Sequence, residues 1–294
     1  MSKPSAPQYF ETPTAPAQRA MYYLWRLDPS STAYLIQIAL RLERPSPEDA
    51  ARLRMAFERL PVANPSLTAR FEEAPTGVRQ RIFPGAPLPV MQTRLTGDAD
   101  PLAALEAAAR QPVDLARGCC RLDLITLGEE QAPQELFALF SVHHIIFDGV
   151  SADLLLAQLE TGLQDVPVTT PDTYIEAMDA LAAYPEQEAY RKSRGFWREE
   201  LKSIRDLAVR HDRTRPDRQT FNGDVLRFSL DPQTTARLTK LGNGSAHAPL
   251  LALFATALHG FSDGQCDFAI GTTFHNRTRS QRQLMANLSN TVPF

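Results

Sequence analysis

Cysteine is scarce in this chain: there are three in 294 residues, the adjacent Cys119 and Cys120 and the distant Cys266. That number and spacing provide neither a disulfide framework nor a zinc-ligand pattern, and a reducing cytoplasm fits best. Charge of one sign is also lacking. The net charge of −3 gives no electrostatic support to a nucleic-acid role. No apolar run approaches the ~18 residues that a membrane helix needs. Residues 1–14 are polar and Pro-containing, without the apolar centre of a signal peptide. No repeat with a period of ~20–50 residues is visible, which excludes a solenoid or propeller.

What is present is ordinary globular material. Hydrophobic residues make up 43% of the chain and charged residues 22%, enough apolar side chain for sizeable cores. The length suits about two domains of ~150 residues each. The 23 prolines fall mostly between periodic segments, where they punctuate.

After a loose lead-in over 1–14, Pro16 opens a predicted helix to about Leu27. Ala33–Leu42 reads as a strand. Ser46, followed by Pro47, Glu48 and Asp49, predicts an N-cap and a helix to about Leu60. Ser66–Glu73 and Val78–Phe83 predict a hairpin around Pro75-Thr76-Gly77. A helix opens at Asp100-Pro101 and ends before Pro112. Arg121–Leu127 and Glu135–His143 read as strands. The aperiodic segment 161–172 marks a boundary, dividing the chain into an N-terminal lobe, 1–165, and a C-terminal lobe, 166–294. Helices are expected at Asp172–Ala183, Glu186–Ile204, Pro232–Leu241 and Ala248–Gly260, and strands at Asp224–Leu230 and Asp267–Thr272. Mixing of strands and helices without strict alternation indicates an α+β fold.

The strongest chemical signal runs from Ser141 to Ser151, Ser-Val-His-His-Ile-Ile-Phe-Asp-Gly-Val-Ser. It follows an apolar strand, residues 136–140, and precedes an apolar helix, residues 152–159. Neighbouring residues of a strand point to opposite faces. If the strand persists through His144, only one of His143 and His144 faces a cleft, and the two are poorly placed to share a metal. Gly149 suits a sharp turn, and Ser151 suits a helix N-cap. An imidazole takes up and returns a proton near neutrality, which suits general acid–base chemistry. Asp148 needs a cation partner if it is buried.

His143-His144-x-x-x-Asp148-Gly149 resembles the signature of condensation domains of nonribosomal peptide synthetases, whose fold is that of chloramphenicol acetyltransferase. Ala17-Gln18-Arg19-Ala20-Met21-Tyr22-Tyr23-Leu24 is similar to the family's first motif, with Ala20 where an Arg is usual. Asn64-Pro65-Ser66-Leu67-Thr68-Ala69-Arg70-Phe71 is similar to the second. There Ala63-Asn64 replaces the usual Arg-His, and Thr68 a common Arg. The fifth motif resembles Ile270–Arg277 followed by Asn290–Phe294, without its usual aromatic pair before Asn290.

The resemblance implies a two-lobe α/β sandwich with its second lobe incomplete, since the sequence stops after the fifth motif. It implies His144 as the catalytic residue, supported by His143. It also implies a structural salt bridge between Asp148 and Arg277, and Gly149 beside the tunnel to the thioester. Ser151, Tyr22 and Asn290 are candidate substrate or tunnel residues. No cofactor or metal is expected on the domain itself. Its substrates arrive on the phosphopantetheine arms of donor and acceptor carrier proteins, peptidyl or acyl. The implied reaction is amide formation in the cytoplasm, with no nucleic-acid or membrane partner. Ester formation and epimerisation share the same motif. A non-catalytic carrier-protein docking or gating role is the alternative from another class, suggested by the altered second motif and opposed by the intact His144, Asp148 and Gly149.

Overall fold

The computed structural model describes residues 9–161, 170–214, 216–217 and 223–294. The expected boundary segment, 161–172, lies largely outside the described residues, as does most of the lead-in. Two compact units emerge: Met1–Arg191 with His275–Asn290, and Lys192–Phe274 with Thr291–Phe294. They divide the chain differently from the expected split at 165/166. The helix after the boundary segment buries Tyr174, Ala177 and Met178 in the core of the first unit, which carries the division beyond it.

The first unit opens with β1 (Phe10–Pro13), α1 (Pro16–Leu27), β2 (Leu35–Glu43) and α2 (Asp49–Ala63). A hairpin follows, β3 (Ala69–Ala74) and β4 (Gly77–Ile82), and then β5 (Val90–Leu95) and α3 (Pro101–Ala109). The motif-bearing segment comprises β6 (Cys120–Glu129), β7 (Ala132–His143) and α4 (Gly149–Glu160), with α5 (Pro171–Ala183) beyond it. One sheet has the order β1-β4-β3 and a larger one the order β2-β7-β6-β5. In the larger sheet β7 is antiparallel to both neighbours, whereas β5 runs parallel to β6.

β1 and β5 were not expected. β1 lies within the predicted lead-in and exists by pairing with Arg79–Ile82 of β4. Tertiary pairing overrides weak local preference in both.

Helix starts follow their local chemistry. Asp100 caps α3, accepting from the Leu102 N–H at 2.9 Å, and Thr170 caps α5. Ser46 does not cap α2. Its own N–H donates to the Asp49 carboxylate at 2.7 Å, so the cap bond runs opposite to the expectation. α2 also continues past Leu60 through Pro61 to Ala63.

β7 is central, and every residue from Leu136 to His143 is buried. Phe140 packs against Phe57 of α2, with ring centroids 5.4 Å apart, and against Phe147, 6.1 Å away. That aromatic cluster seats the turn at the end of β7. Segment 284–288 returns to this unit with Leu284, Met285, Ala286 and Leu288 buried. It is tied by the Ser66 hydroxyl donating to the Met285 carbonyl at 2.6 Å.

The second unit holds most of α6 (Glu188–Glu200), then α7 (Pro232–Leu241), α8 (His247–Phe261) and β8 (Gly271–Phe274), which pairs with β9 (Asn290–Pro293). Asp231 caps α7, accepting from Thr234 N–H at 2.9 Å. The expected strand over 224–230 is not formed. A strand needs a partner edge, and this segment has none among the described residues; Leu226 is 88% exposed and Phe228 79%. β8 is shorter than expected and begins later, at Gly271.

Candidate active site

β7 carries His143 to its last position and stops there, so the two histidines meet different surroundings. Both backbones are held. The His143 N–H donates to the Cys119 carbonyl at 2.8 Å, and the His144 N–H to the Tyr34 carbonyl at 2.8 Å. The His143 ring is 4% exposed, and its Nδ1 accepts the Ile145 N–H at 3.1 Å. Burial pushes that imidazole down to about 4, and the neighbouring His144 acts in the same direction. His143 is therefore neutral at pH 7 and serves as a backbone acceptor.

His144 is only half-buried. Its Nδ1 is buried without a hydrogen-bond partner, which leaves Nε2 as the nitrogen on the accessible side. For Nε2 to accept a proton, the neutral ring must carry its hydrogen on Nδ1.

Four residues on, Asp148 is fully buried and joins two tasks. Its carboxylate caps α4, accepting from the Ser151 N–H at 2.9 Å and the Ser151 hydroxyl at 2.8 Å. It also pairs with Arg277 Nη2 at 2.8 Å, where the side chains are 1% and 5% exposed. The Leu288 N–H and the Ser289 hydroxyl donate to its second oxygen, each at 3.2 Å. Burial alone would raise this carboxyl. The Ser151 N–H, the Arg277 charge and the other donors outweigh it, and Asp148 titrates below the ordinary carboxylate range. Arg277 donates further to the carbonyls of Gln281, Leu284 and Ala286.

Ser151 is thus not the N-cap; Asp148 is. The Ser151 hydroxyl instead clasps Ala286, accepting its N–H at 3.1 Å and lying 3.0 Å from its carbonyl. Gly149 is the first residue of α4 and does not use a left-handed conformation. A Cβ there would meet nothing within 4 Å, so open space rather than backbone freedom distinguishes the position.

Other sequence candidates lie apart from this clasp. Tyr22 is buried in the core against Trp25, and burial raises its phenol. Asn290 is exposed at the start of β9. Cys119 and Cys120 are buried donors to the carbonyls of Ala69 and Leu67, and burial pushes Cys120 up to about 12 and Cys119 well up too. Neither is a reactive thiolate at neutral pH. The departures from the second motif are absorbed locally. Asn64 donates to Gln158 at 2.7 Å, and Thr68 accepts the Phe83 N–H at 3.1 Å.

One participant was not read from the sequence as a site residue. Gln18, buried in the first turn of α1, donates to the carbonyl of Ile145, directly after His144, at 3.1 Å. The signal was present in Ala17-Gln18 of the first motif, but nothing local says that its amide reaches a turn 127 residues away.

A half-accessible histidine one residue past a central strand, and an aspartate clamped to a distant arginine, sit in an α+β frame of the chloramphenicol acetyltransferase-like kind. The condensation domain family model matches residues 10–292, and the chain belongs to that family. It is 30% identical over 289 residues to phosphinothricin tripeptide synthetase PhsC of Streptomyces viridochromogenes, covering 92% of this chain and 26% of the relative. It is 28% identical over 284 residues to tyrocidine synthase 2 of Brevibacillus parabrevis, covering 94% and 8%. The chain thus spans about a quarter or less of these relatives.

Among solved structures, a four-domain nonribosomal peptide synthetase matches with TM-score 0.80 and 20% identity over 99% of this chain and 22% of that one. The starter condensation domain of rhizomide synthetase matches with TM-score 0.74 and 21% identity over 96% and 65%. These likenesses show the fold. No helix among the described residues is long and apolar enough to cross a membrane.

Proposed function

We propose that this chain is an acyltransferase, joining a carrier-bound acyl or peptidyl thioester to an amine in nonribosomal peptide biosynthesis. The observation that carries the reading is the half-buried His144 ring, held at the end of β7 with Nδ1 sealed and Nε2 accessible. In the reaction the amine nitrogen attacks the thioester carbon and the C–S bond breaks. The nitrogen loses a proton, and the leaving sulfur gains one. His144 Nε2 takes the first and supplies the second, so the ring ends as it began. Asp148, fixed by Arg277, does not exchange protons. It starts α4 and holds segment 284–289 beside the turn.

The donor and acceptor are presented on phosphopantetheine arms of carrier proteins, in a reducing cytoplasm; the described cysteines are all free. Ester formation with a hydroxyl acceptor uses the same proton path. A docking role has a parallel in one fold neighbour, the X-domain from teicoplanin biosynthesis, solved in complex with OxyB (TM-score 0.76, 22% identity).

The test is to offer the native protein an acyl-pantetheine thioester with amine and alcohol acceptors side by side. Amide as the main product is the expected result. Ester alone would move the assignment to the hydroxyl acceptor. Carrier binding without any turnover would support docking.

A further inference from the structure

We infer that Gln18 is a positioning residue for His144, acting through the Ile145 peptide. Gln18, Gln80 and Tyr174 are fully buried and come from α1, β4 and α5. Their donors and acceptors close on one another. Gln18 Oε1 accepts from the Ala15 N–H at 3.0 Å and from Gln80 Nε2 at 3.1 Å. Gln80 Nε2 also donates to the Pro13 carbonyl at 3.0 Å, and the Tyr174 hydroxyl donates to Gln80 Oε1 at 2.9 Å. Gln18 Nε2 has two hydrogens, and its two closest acceptors are the Tyr174 hydroxyl and the Ile145 carbonyl, both at 3.1 Å; Gln80 Oε1 lies farther off at 3.5 Å.

The Ile145 carbonyl is the one member outside this triad's own supports. The same residue's N–H is taken by His143 Nδ1. Ile145 is therefore gripped at both ends, by the neutral His143 ring and by Gln18. Fixing Ile145 fixes the backbone that aims the preceding side chain, His144, which makes no side-chain hydrogen bond of its own at Nδ1. Three buried polar side chains are costly relative to apolar residues of equal volume unless every group is paired. Here they are paired, and the network supplies one thing that an apolar cluster lacks: a donor at the turn.

This rests on the reading of His144 as the proton carrier, so the test has an arm independent of turnover. In the native protein, Gln18→Met keeps the volume and removes the donor. It is expected to lower kcat for amide formation roughly 10- to 100-fold, with KM for both substrates little changed and the pH profile displaced. Tyr174→Phe removes two bonds inside the triad, the one to Gln80 Oε1 and the one from Gln18 Nε2, but leaves the Gln18–Ile145 bond, and should stay within about twofold of the parent. Should Gln18→Met fail to fold, Gln18→Asn, too short to reach Ile145, replaces it.

The second arm follows the His144 ring by nitrogen-15 NMR, with His144→Ala to assign the signal. The ring resonances should move in Gln18→Met and not in Tyr174→Phe. Unmoved resonances and unchanged kcat in the Gln18 variant would overturn the inference, as would equal losses in both variants. If His144→Ala retains full turnover while Gln18→Met still moves the ring, positioning stands and the proton-carrier reading falls.

Discussion

Two adjacent histidines with the same intrinsic chemistry are separated by what lies around each. His143 is sealed and neutral, and His144 keeps one nitrogen accessible. Because the folded imidazole of His143 sits at about 4 against an ordinary 6.5, the unfolded chain binds its proton first as pH falls. The contribution of His143 is therefore intact above about pH 6.5 and is lost between there and about pH 4. Urea unfolding should show a loss of about 2 kcal/mol between pH 7 and pH 5 from this group. His143→Asn keeps an acceptor for the Ile145 N–H but does not titrate, and should flatten that interval. Asp148 titrates below its ordinary value, so its share persists above about pH 3.8 and disappears below. Removing one partner of the buried pair, by Asp148→Ala or Arg277→Ala, should cost about 3–5 kcal/mol, since a charge is left buried alone. A double-mutant cycle should show strong coupling between them. The motif spelled out His144, Asp148 and Gly149 in the sequence. The roles of Ser151 and Gln18 were not legible, because each depends on a residue more than a hundred positions away.

At the scale of elements, local chemistry was readable where it is self-contained. Pro16, Asp100-Pro101, the stretch around Pro171, and Asp231-Pro232 all marked helix starts that formed, because proline's fixed φ acts within one turn and, at all but the first, a short side-chain acceptor caps the helix. Strands were less legible. β5 is a half-apolar but largely exposed edge, held by its parallel register with Leu122–Leu127. Segment 224–230 has strand-like residues and no edge to join. The β6–β7 hairpin carries the motif, and its register shifts at Leu127/Gly128. Gly128 sits there at φ +103°, and an added Cβ would lie 3.0 Å from the Ala132 carbonyl oxygen. Gly128→Ala should therefore destabilise the chain by at least about 1 kcal/mol. A thermal melt measures it; an unchanged Tm would mean that the hairpin tolerates re-registration.

For the whole molecule, the α+β class was legible from composition and element order, while the division into units was not. The chain leaves the first unit at Arg191, builds the second, and returns for His275–Asn290. Such a return is invisible to a reading that cuts a sequence once. Its consequence is that Arg277 and the 284–288 segment complete a site begun near residue 143. The central claim is that this assembled site exists to present one imidazole. Its most direct measurement is single-turnover amide formation from an acyl-pantetheine thioester and an amine, comparing the native protein with His144→Ala. With thioester binding and the unfolding transition retained, the rate should fall by roughly 10²–10⁴-fold. A variant that forms amide as fast as the parent would contradict the account.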